Sequence, residues 1–478
     1  MNNKRQAVVI IHGIGEQRPM KTLRGFVTSL LNYEKNLMGD HSNKRTFWTK
    51  PDRISNSFEL RKISAKGYQE KRSTTHFYEY HWAANMRDTK WRHILSWFWS
   101  LMFRGPQEMT SKRLLVLWSS LWFAFLSWFI IAAIFFYNWL WLKMHPLESL
   151  SFFQKVILAI PIFSFLLHNI FIGFIGDAAR YLRVSVENIQ QREQIRKNGV
   201  DLLKALHETG DYDRIIVVGH SLGSVIAYDI ITYLWIDFNK AINLNQDEDC
   251  IKSTRTKWPC SFGLIKPNTK ELEDIQAYAK AIREGTFNPE SIDDLQTAQR
   301  NLWQKIQYER KSWLISDLIT LGSPLAHAKL LMADSETDFA LRTEEREYPL
   351  SPPLLDGDDL TYPSGNGNMY LHHATPFAVT RWTNLYFKGD FIAGKIAQNF
   401  GPGIKDIRVS YTGGFLSKLN STINPLSHNH YWLSKSEART INQQKQVGAI
   451  QELYDSMRLN DIESNIYKSE ENGTNKDM

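Results

Sequence analysis

Residues Gly219-His220-Ser221-Leu222-Gly223 have the types and spacing that expose a serine hydroxyl for nucleophilic attack. The aliphatic run Ile215-Ile216-Val217-Val218 precedes them, and a helix-compatible stretch, 224–233, follows. A strand that turns sharply into a helix pushes the hydroxyl of the turn serine clear of the sheet. The turn is so tight that small residues are needed on both sides. Gly219, His220 and Gly223 are read as supports of this turn, with the His220 side chain directed away from Ser221. A glycine-rich turn with a serine cap has the same local pattern, so the partners that such chemistry needs must be sought elsewhere in the chain.

A serine nucleophile requires an oxyanion hole, a general base and an acid that orients the base. Near the N-terminus, Ala7-Val8-Val9-Ile10-Ile11 reads as a buried strand that runs into His12-Gly13-Ile14-Gly15-Glu16-Gln17. His12 and Gly13 support that turn, and the backbone N–H groups of Ile14 and Leu222 are the two candidate oxyanion donors. A phosphate-binding loop is the other reading of a glycine-rich turn after a strand. Against it, no Lys-Ser/Thr follows at the required spacing, and Gly13-Ile14-Gly15 lacks the third glycine of a dinucleotide fingerprint. Downstream, Arg381-Trp382-Thr383-Asn384-Leu385-Tyr386-Phe387 alternates as a strand and ends near Asp390. A further short strand, 407–411, leads to a loop that carries Ser427-His428-Asn429-His430-Tyr431-Trp432. The chain order is therefore Ser221, Asp390, His428, with His430 as an alternative base.

These segments together resemble the lipase and esterase side of the α/β-hydrolase superfamily. The resemblance rests on the His-Gly-Ile-Gly turn, the Gly-His-Ser-Leu-Gly elbow and Thr320-Leu321-Gly322-Ser323-Pro324. It also rests on the Trp-x-Asn-x-Tyr strand that ends near Asp390 and on the His428-x-x-Tyr431-Trp432 box. It covers the framework from residue 7 to about 432, insertions aside. It implies an α/β fold, a mostly parallel sheet with helices on both faces. It also implies that Ser221 is the nucleophile, His428 the base and Asp390 the residue that orients His428. The chemistry it implies uses no metal and no cofactor.

The elements that position these residues are interrupted by two apolar runs. Residues 114–142 contain no charge and would form a helix about 43 Å long, more than the ~30 Å hydrocarbon core of a bilayer. Residues 156–176 are also uncharged and would reach about 32 Å. The pair reads as a transmembrane hairpin, and the Trp-rich segment before it, within 91–113, reads as an interfacial helix. The oxyanion strand precedes the hairpin and the elbow follows it. Both must join one sheet, so an even number of crossings is required. Arg104, Lys112, Arg113, Arg180 and Arg183 on the outer flanks favour a cytoplasmic catalytic domain. The run before His12 is too short for the apolar region of a signal peptide, which agrees.

The expected organisation is a first part of the hydrolase domain at 1–90, the interfacial segment at 91–113 and the hairpin at 114–176. The second part of the domain, 177–458, carries lid-like insertions at about 237–313 and 333–376, and a polar tail, 459–478, reads as disordered. Residues 58–65 and 75–82 read as strands, and 177–207 as an amphipathic helix broken near Gly199. Lys plus Arg total 57 against 50 Asp plus Glu, a net charge of +7 without a basic block, so no nucleic-acid partner is expected. Two cysteines, Cys250 and Cys260, offer no zinc spacing or disulfide framework. The expected function is a membrane-anchored serine hydrolase that cleaves a carboxylic ester of a lipid or amphiphile through an acyl-enzyme. A thioesterase or acyltransferase of the same fold, or a non-catalytic membrane scaffold, stands as the alternative.

Overall fold

A computed structural model describes residues 5–14, 18–39, 47–55, 57–66, 74–83, 181–182, 189–240, 264–265, 269–310, 313–363, 369–390, 392–411, 425–432 and 447–460, with ten helical positions between 115 and 140. The chain divides into two compact units. The first comprises Met1–Asn85, Glu193–Ala328 and Thr337–Met478. The second comprises Met86–Arg192 and Lys329–Glu336.

The first unit is an α/β structure built on strands β1 (Arg5–Ile11), β2 (Phe47–Pro51), β3 (Arg61–Ala65), β4 (Thr74–Tyr80), β5 (Arg214–His220), β7 (Ile315–Leu321), β10 (Arg381–Phe387) and β11 (Ile404–Val409). They form one eight-stranded sheet in the order β11-β10-β7-β5-β1-β4-β3-β2. Pairing is parallel from β11 to β4 and antiparallel for β3 and β2 at one edge. Strands β6 (Leu264–Ile265), β8 (Thr361–Pro363) and β9 (Met369–Leu371) make a separate three-stranded sheet.

The apolar runs that mark β1 and β5 in the sequence are buried along their length, as is β7 beside them, as central parallel strands covered on both faces must be. On one face, α1 (Lys21–Leu37) and the C-terminal helix (Val447–Met457) close a core that contains Leu23, Phe26, Val8, Ile10, Val218, Leu321, Leu385 and Leu453. On the other, the helix Leu222–Lys240 buries Ile226, Tyr228 and Ile230, and the Tyr228 ring stacks on Phe377 and meets Trp382 and Phe400. From β1 the sheet runs to β4 on one side, and from β5 to β7 on the other. The carboxyl ends of β1 and β5 therefore flank the crevice where open α/β sheets bind ligands.

One expectation changes, the helix break near Gly199. The helix Ile189–Glu208 runs through Gly199 without a break. A Cβ at Gly199 would lie 2.1 Å from Ile230 Cδ1, so this glycine brings two helices close together and does not end one. The stretch expected as a lid-like insertion, about 237–313, contains the helix Ile292–Arg310, which buries Leu295 and Leu302. Its buried amides bond to the core: Gln296 Nε2 donates to Trp382 O and Gln299 Nε2 to Phe377 O. The two-helix membrane hairpin is not seen; among the described residues no helix is long and apolar enough to cross a membrane. Most of 114–176, all of 91–113 and the tail beyond 460 lie outside the described residues. Within the second unit the described contacts include an Arg192 guanidinium over the Tyr181 ring and an ion pair between Lys329 and Glu336.

Away from the crevice, the first unit is tied by a buried ion cluster. Asp317 of β7 accepts from Arg214 Nη2 at 2.6 Å and Arg381 Nε at 2.8 Å. Arg214 also donates to the carbonyls of Met457 and Arg458. Burial opposes the Asp317 charge, but Arg381, Arg214 and Arg458 outweigh it and hold the carboxyl below its usual range. Asp317→Ala would leave two buried guanidinium groups without their anion. Urea unfolding should show a loss of about 3–5 kcal/mol, and a loss below 1 kcal/mol would contradict this role for the cluster.

Candidate active site

The turn after β5 is strained in the way an exposed nucleophile requires. Ser221 has φ 54°, a left-handed conformation that costs a residue with a Cβ roughly 1–2 kcal/mol. The neighbouring elements hold it there. Ser221 N–H donates to Leu321 O at 2.9 Å, which closes the last pair of the β5–β7 ladder, His220 with Leu321. Ser224 N–H and Oγ both donate to Ser221 O, at 3.0 and 2.5 Å. A Cβ at Gly223 would fall 2.3 Å from Ile11 O and 2.4 Å from His12 O, so only glycine lets the helix start beneath the end of β1.

The structure brings the three residues expected in the triad into one hydrogen-bonded row. Ser221 Oγ lies 2.8 Å from His428 Nε2, and His428 Nδ1 lies 2.8 Å from Asp390 Oδ2. All three are buried at the level of the whole residue. A carboxylate only accepts, so Nδ1 carries the proton and Nε2 faces the serine hydroxyl as an acceptor. The second Asp390 oxygen accepts from the N–H groups of Ile392 and Ala393, at 3.0 and 3.3 Å. These bonds fix the carboxylate in a tight turn just beyond β10.

The expected oxyanion donors lie on either side of the serine. Leu222 follows it at the start of the helix, and the turn at Gly13 packs against it, with a Cβ at Gly13 only 2.8 Å from Ser221 Cβ. Among the described residues neither Ile14 N–H nor Leu222 N–H donates a hydrogen bond, so both are available. Oxyanion donors must be free in this way before substrate arrives.

His430, the alternative base, is placed elsewhere. Its Nδ1 lies 2.6 Å from Tyr411 Oη, and its bonded partner is that hydroxyl, not Ser221. His220 has a part beyond shaping the turn. Its Nε2 donates to the backbone carbonyl of His428 at 2.9 Å, and its ring packs edge-on to Trp432 at 4.6 Å. It holds the histidine loop to the serine turn.

Sequence reasoning missed three supporting groups. Tyr431 donates its hydroxyl to Asp390 Oδ2 at 2.9 Å and accepts from Phe387 N–H at 3.2 Å. Gly322, at φ 62°, leaves room beneath the His–Asp pair, where a Cβ would lie 3.2 Å from both Asp390 Oδ2 and His428 Cε1. Asn384 of β10 donates to Asp406 Oδ1 and Gly394 O, and Asp406 accepts from Ile396 and Ala397 N–H, so this pair anchors the loop that carries Asp390. The Tyr431 and Gly322 motifs were visible in the sequence, but nothing in it identified their contacts. Among the described residues no group of His, Cys, Asp and Glu is arranged to hold a metal ion. No protein-family model matches the chain, and no curated protein or solved structure matches it either.

Burial sets the charge of the histidines outside the row. Desolvation draws His12 and His220 down to about 3, and His207, His76 and His372 down to about 4. Each stays neutral in the folded state, while its unfolded counterpart takes up a proton near pH 6.5. Their contribution to stability is complete above about pH 6.5 and declines as the pH falls toward 4, because the unfolded chain then binds more protons. Glu79 and Asp406, pushed up by burial, act in the opposite sense. The five histidines should dominate between pH 7 and 5, where calorimetry should record a falling melting temperature. A flat or rising temperature across that window would show that these histidines are not the neutral buried groups described.

Proposed function

We propose that the chain is a serine hydrolase of the α/β-hydrolase type, lipase- or esterase-like, acting on a carboxylic ester of a lipid or amphiphile. The observation that carries this reading is the row Ser221 Oγ, His428, Asp390, with both links at 2.8 Å. The strained serine turn and the two free N–H groups support it.

In the reaction, Ser221 Oγ attacks the ester carbonyl carbon as His428 Nε2 takes its proton. The carbonyl π electrons move to oxygen, and the resulting oxyanion is met by Leu222 and Ile14 N–H. Asp390 stabilises the imidazolium and keeps its ring in place. The tetrahedral species collapses, and the alcohol leaves with the proton from His428. Water then repeats the sequence on the acyl-enzyme: His428 takes its proton, hydroxide adds to the carbonyl, and Ser221 departs reprotonated. Every atom this needs is supplied by the chain, the ester and water.

The lipid part of the reading rests on the apolar runs. Between 114 and 142 the described helical residues Leu115, Leu126, Phe129, Phe136, Tyr137 and Leu140 have 42–67% of their surface exposed, which suits contact with hydrocarbon. A hairpin that spans the bilayer over 114–176, with the catalytic unit on the cytoplasmic side, would hold Ser221 close to ester-bearing lipids at a high effective concentration.

A fluorophosphonate probe should label the native protein and fail to label Ser221→Ala. Absence of label on the folded native protein would refute the hydrolase. Asp390→Asn should retain the fold and lower kcat about 10³- to 10⁴-fold, because the imidazole loses its orienting charge. Tyr431→Phe removes one hydrogen bond to that carboxylate and should lower kcat about tenfold. Hydrolysis rates of p-nitrophenyl esters report both. For attachment, the full chain in membranes should stay in the pellet after alkaline carbonate washing. Release into the supernatant would refute the spanning hairpin while leaving the chemistry intact.

A further inference from the structure

The Ile14 N–H shares its peptide group with the Gly13 carbonyl, and in a trans peptide the two point in opposite directions. Whatever holds the Gly13 oxygen therefore aims the Ile14 donor. The holder is His12, whose Nδ1 lies 2.8 Å from Gly13 O. A carbonyl only accepts, so Nδ1 is protonated and Nε2 is a bare acceptor. His12 is fully buried, and its Nε2 has no hydrogen-bond partner among the described residues, so the ring is fixed from one nitrogen only.

Packing supplies the rest of its restraint, and it comes from the end of β4. The Trp82 indole stacks on the His12 ring at 5.3 Å with planes 16° apart. The same indole donates Nε1–H to His12 O at 2.8 Å. Trp82 is itself 1% exposed. One side chain thus holds both the ring and the backbone of His12. A second residue of that segment, Glu79, accepts from Met20 N–H at 2.6 Å where α1 begins; this helix has no side-chain cap of its own. The turn after β1 is gripped at His12 and the following helix at Met20, both from the carboxyl end of β4.

We propose that Trp82, acting through His12, is a positioning residue for the oxyanion turn: it fixes the imidazole that sets the direction of the Ile14 N–H. The inference rests on the hydrolase reading. It gives β4, which contributes nothing to the triad, control over transition-state stabilisation. Such control acts on the tetrahedral species and not on the bound ester, so it enters kcat and leaves KM alone.

The test uses the full chain in detergent, p-nitrophenyl butyrate as substrate, a fluorophosphonate to count active sites and an alkyl trifluoromethyl ketone as a tetrahedral mimic. Trp82→Phe keeps an aromatic face and removes the N–H. His12→Leu fills the cavity and removes the Nδ1 donor, whereas His12→Asn places an amide N–H near the Nδ1 position. Trp82→Phe and His12→Leu should lower kcat per titrated site about 10- to 100-fold with KM within about twofold. Ketone Ki should rise by the same factor as kcat falls, and His12→Asn should recover most of the loss. An unchanged kcat per site with fewer titratable sites would mean a structural role only, as would an Asn variant no better than Leu, and either overturns the proposal. Failure of the native protein to react with the fluorophosphonate is a separate outcome, which removes the hydrolase reading itself and this proposal with it.

Discussion

The hydrogen bond from Ser221 N–H to Leu321 O ties the residue just past β5 to the last residue of β7, and it closes on a residue that is left-handed. An L residue at φ 54° is held against its own preference, so the surroundings must over-determine it. They do so with groups from two strands and the helix that follows the turn. β7 accepts the N–H, the carbonyl ends of β1 crowd against Gly223, and Ser224 returns two bonds to the Ser221 carbonyl. Each of these needs the sheet in register, and the register in turn needs both faces covered. The strained turn is thus stabilised by the same burial that covers β1, β5 and β7 almost from end to end.

The sheet divides its duties between its two ends. At the carboxyl ends, polar groups are arranged in a directed row with unfilled donors beside it. Elsewhere in the same unit, charge is compensated as fully as the chain allows: Asp317 lies among Arg214, Arg381 and Arg458. Arg214 opens β5, the strand that ends at the serine turn, and it also grips the carbonyls of Met457 and Arg458. The C-terminal helix that follows the histidine loop is therefore secured at the foot of the strand whose head carries Ser221. Buried ion pairs gain little over apolar packing in stability, but they permit one alignment of strand and helix and penalise others.

The sequence made the local elements legible wherever period and punctuation agreed. The strand Arg381–Phe387 lies where the alternation puts it. So do β1 and β5, as unbroken apolar runs before glycine turns. What failed was whatever depended on a partner distant in sequence. Gly199 reads as a helix breaker until Ile230 is seen against it. The helix Ile292–Arg310 hides its core face in the sequence because some of its buried positions are glutamines, and the amide N–H groups of Gln296 and Gln299 donate to the carbonyls of Trp382 and Phe377. Tyr431 was a motif letter, and only the fold supplies Asp390 as its acceptor. Trp82 carried no functional signal, since a tryptophan at the end of the strand expected over 75–82 is ordinary; the observed strand stops at Tyr80.

The pairing of β1 carries a kinetic consequence. Its neighbours in the sheet are β4 and β5, and β5 lies roughly 200 residues later in the chain. Ser221 and His428 are another 207 positions apart. An amide ladder of this kind is closed only after long stretches of chain have been searched, which makes such topologies slow to fold and exposes unpaired apolar edges meanwhile. During synthesis β1 emerges first and waits for β5, so for much of translation a strand that ends Ala-Val-Val-Ile-Ile has one parallel edge open. The vulnerable period of this protein is therefore its making: agents that cover bare strand edges should matter most between emergence of β4 and arrival of the serine turn.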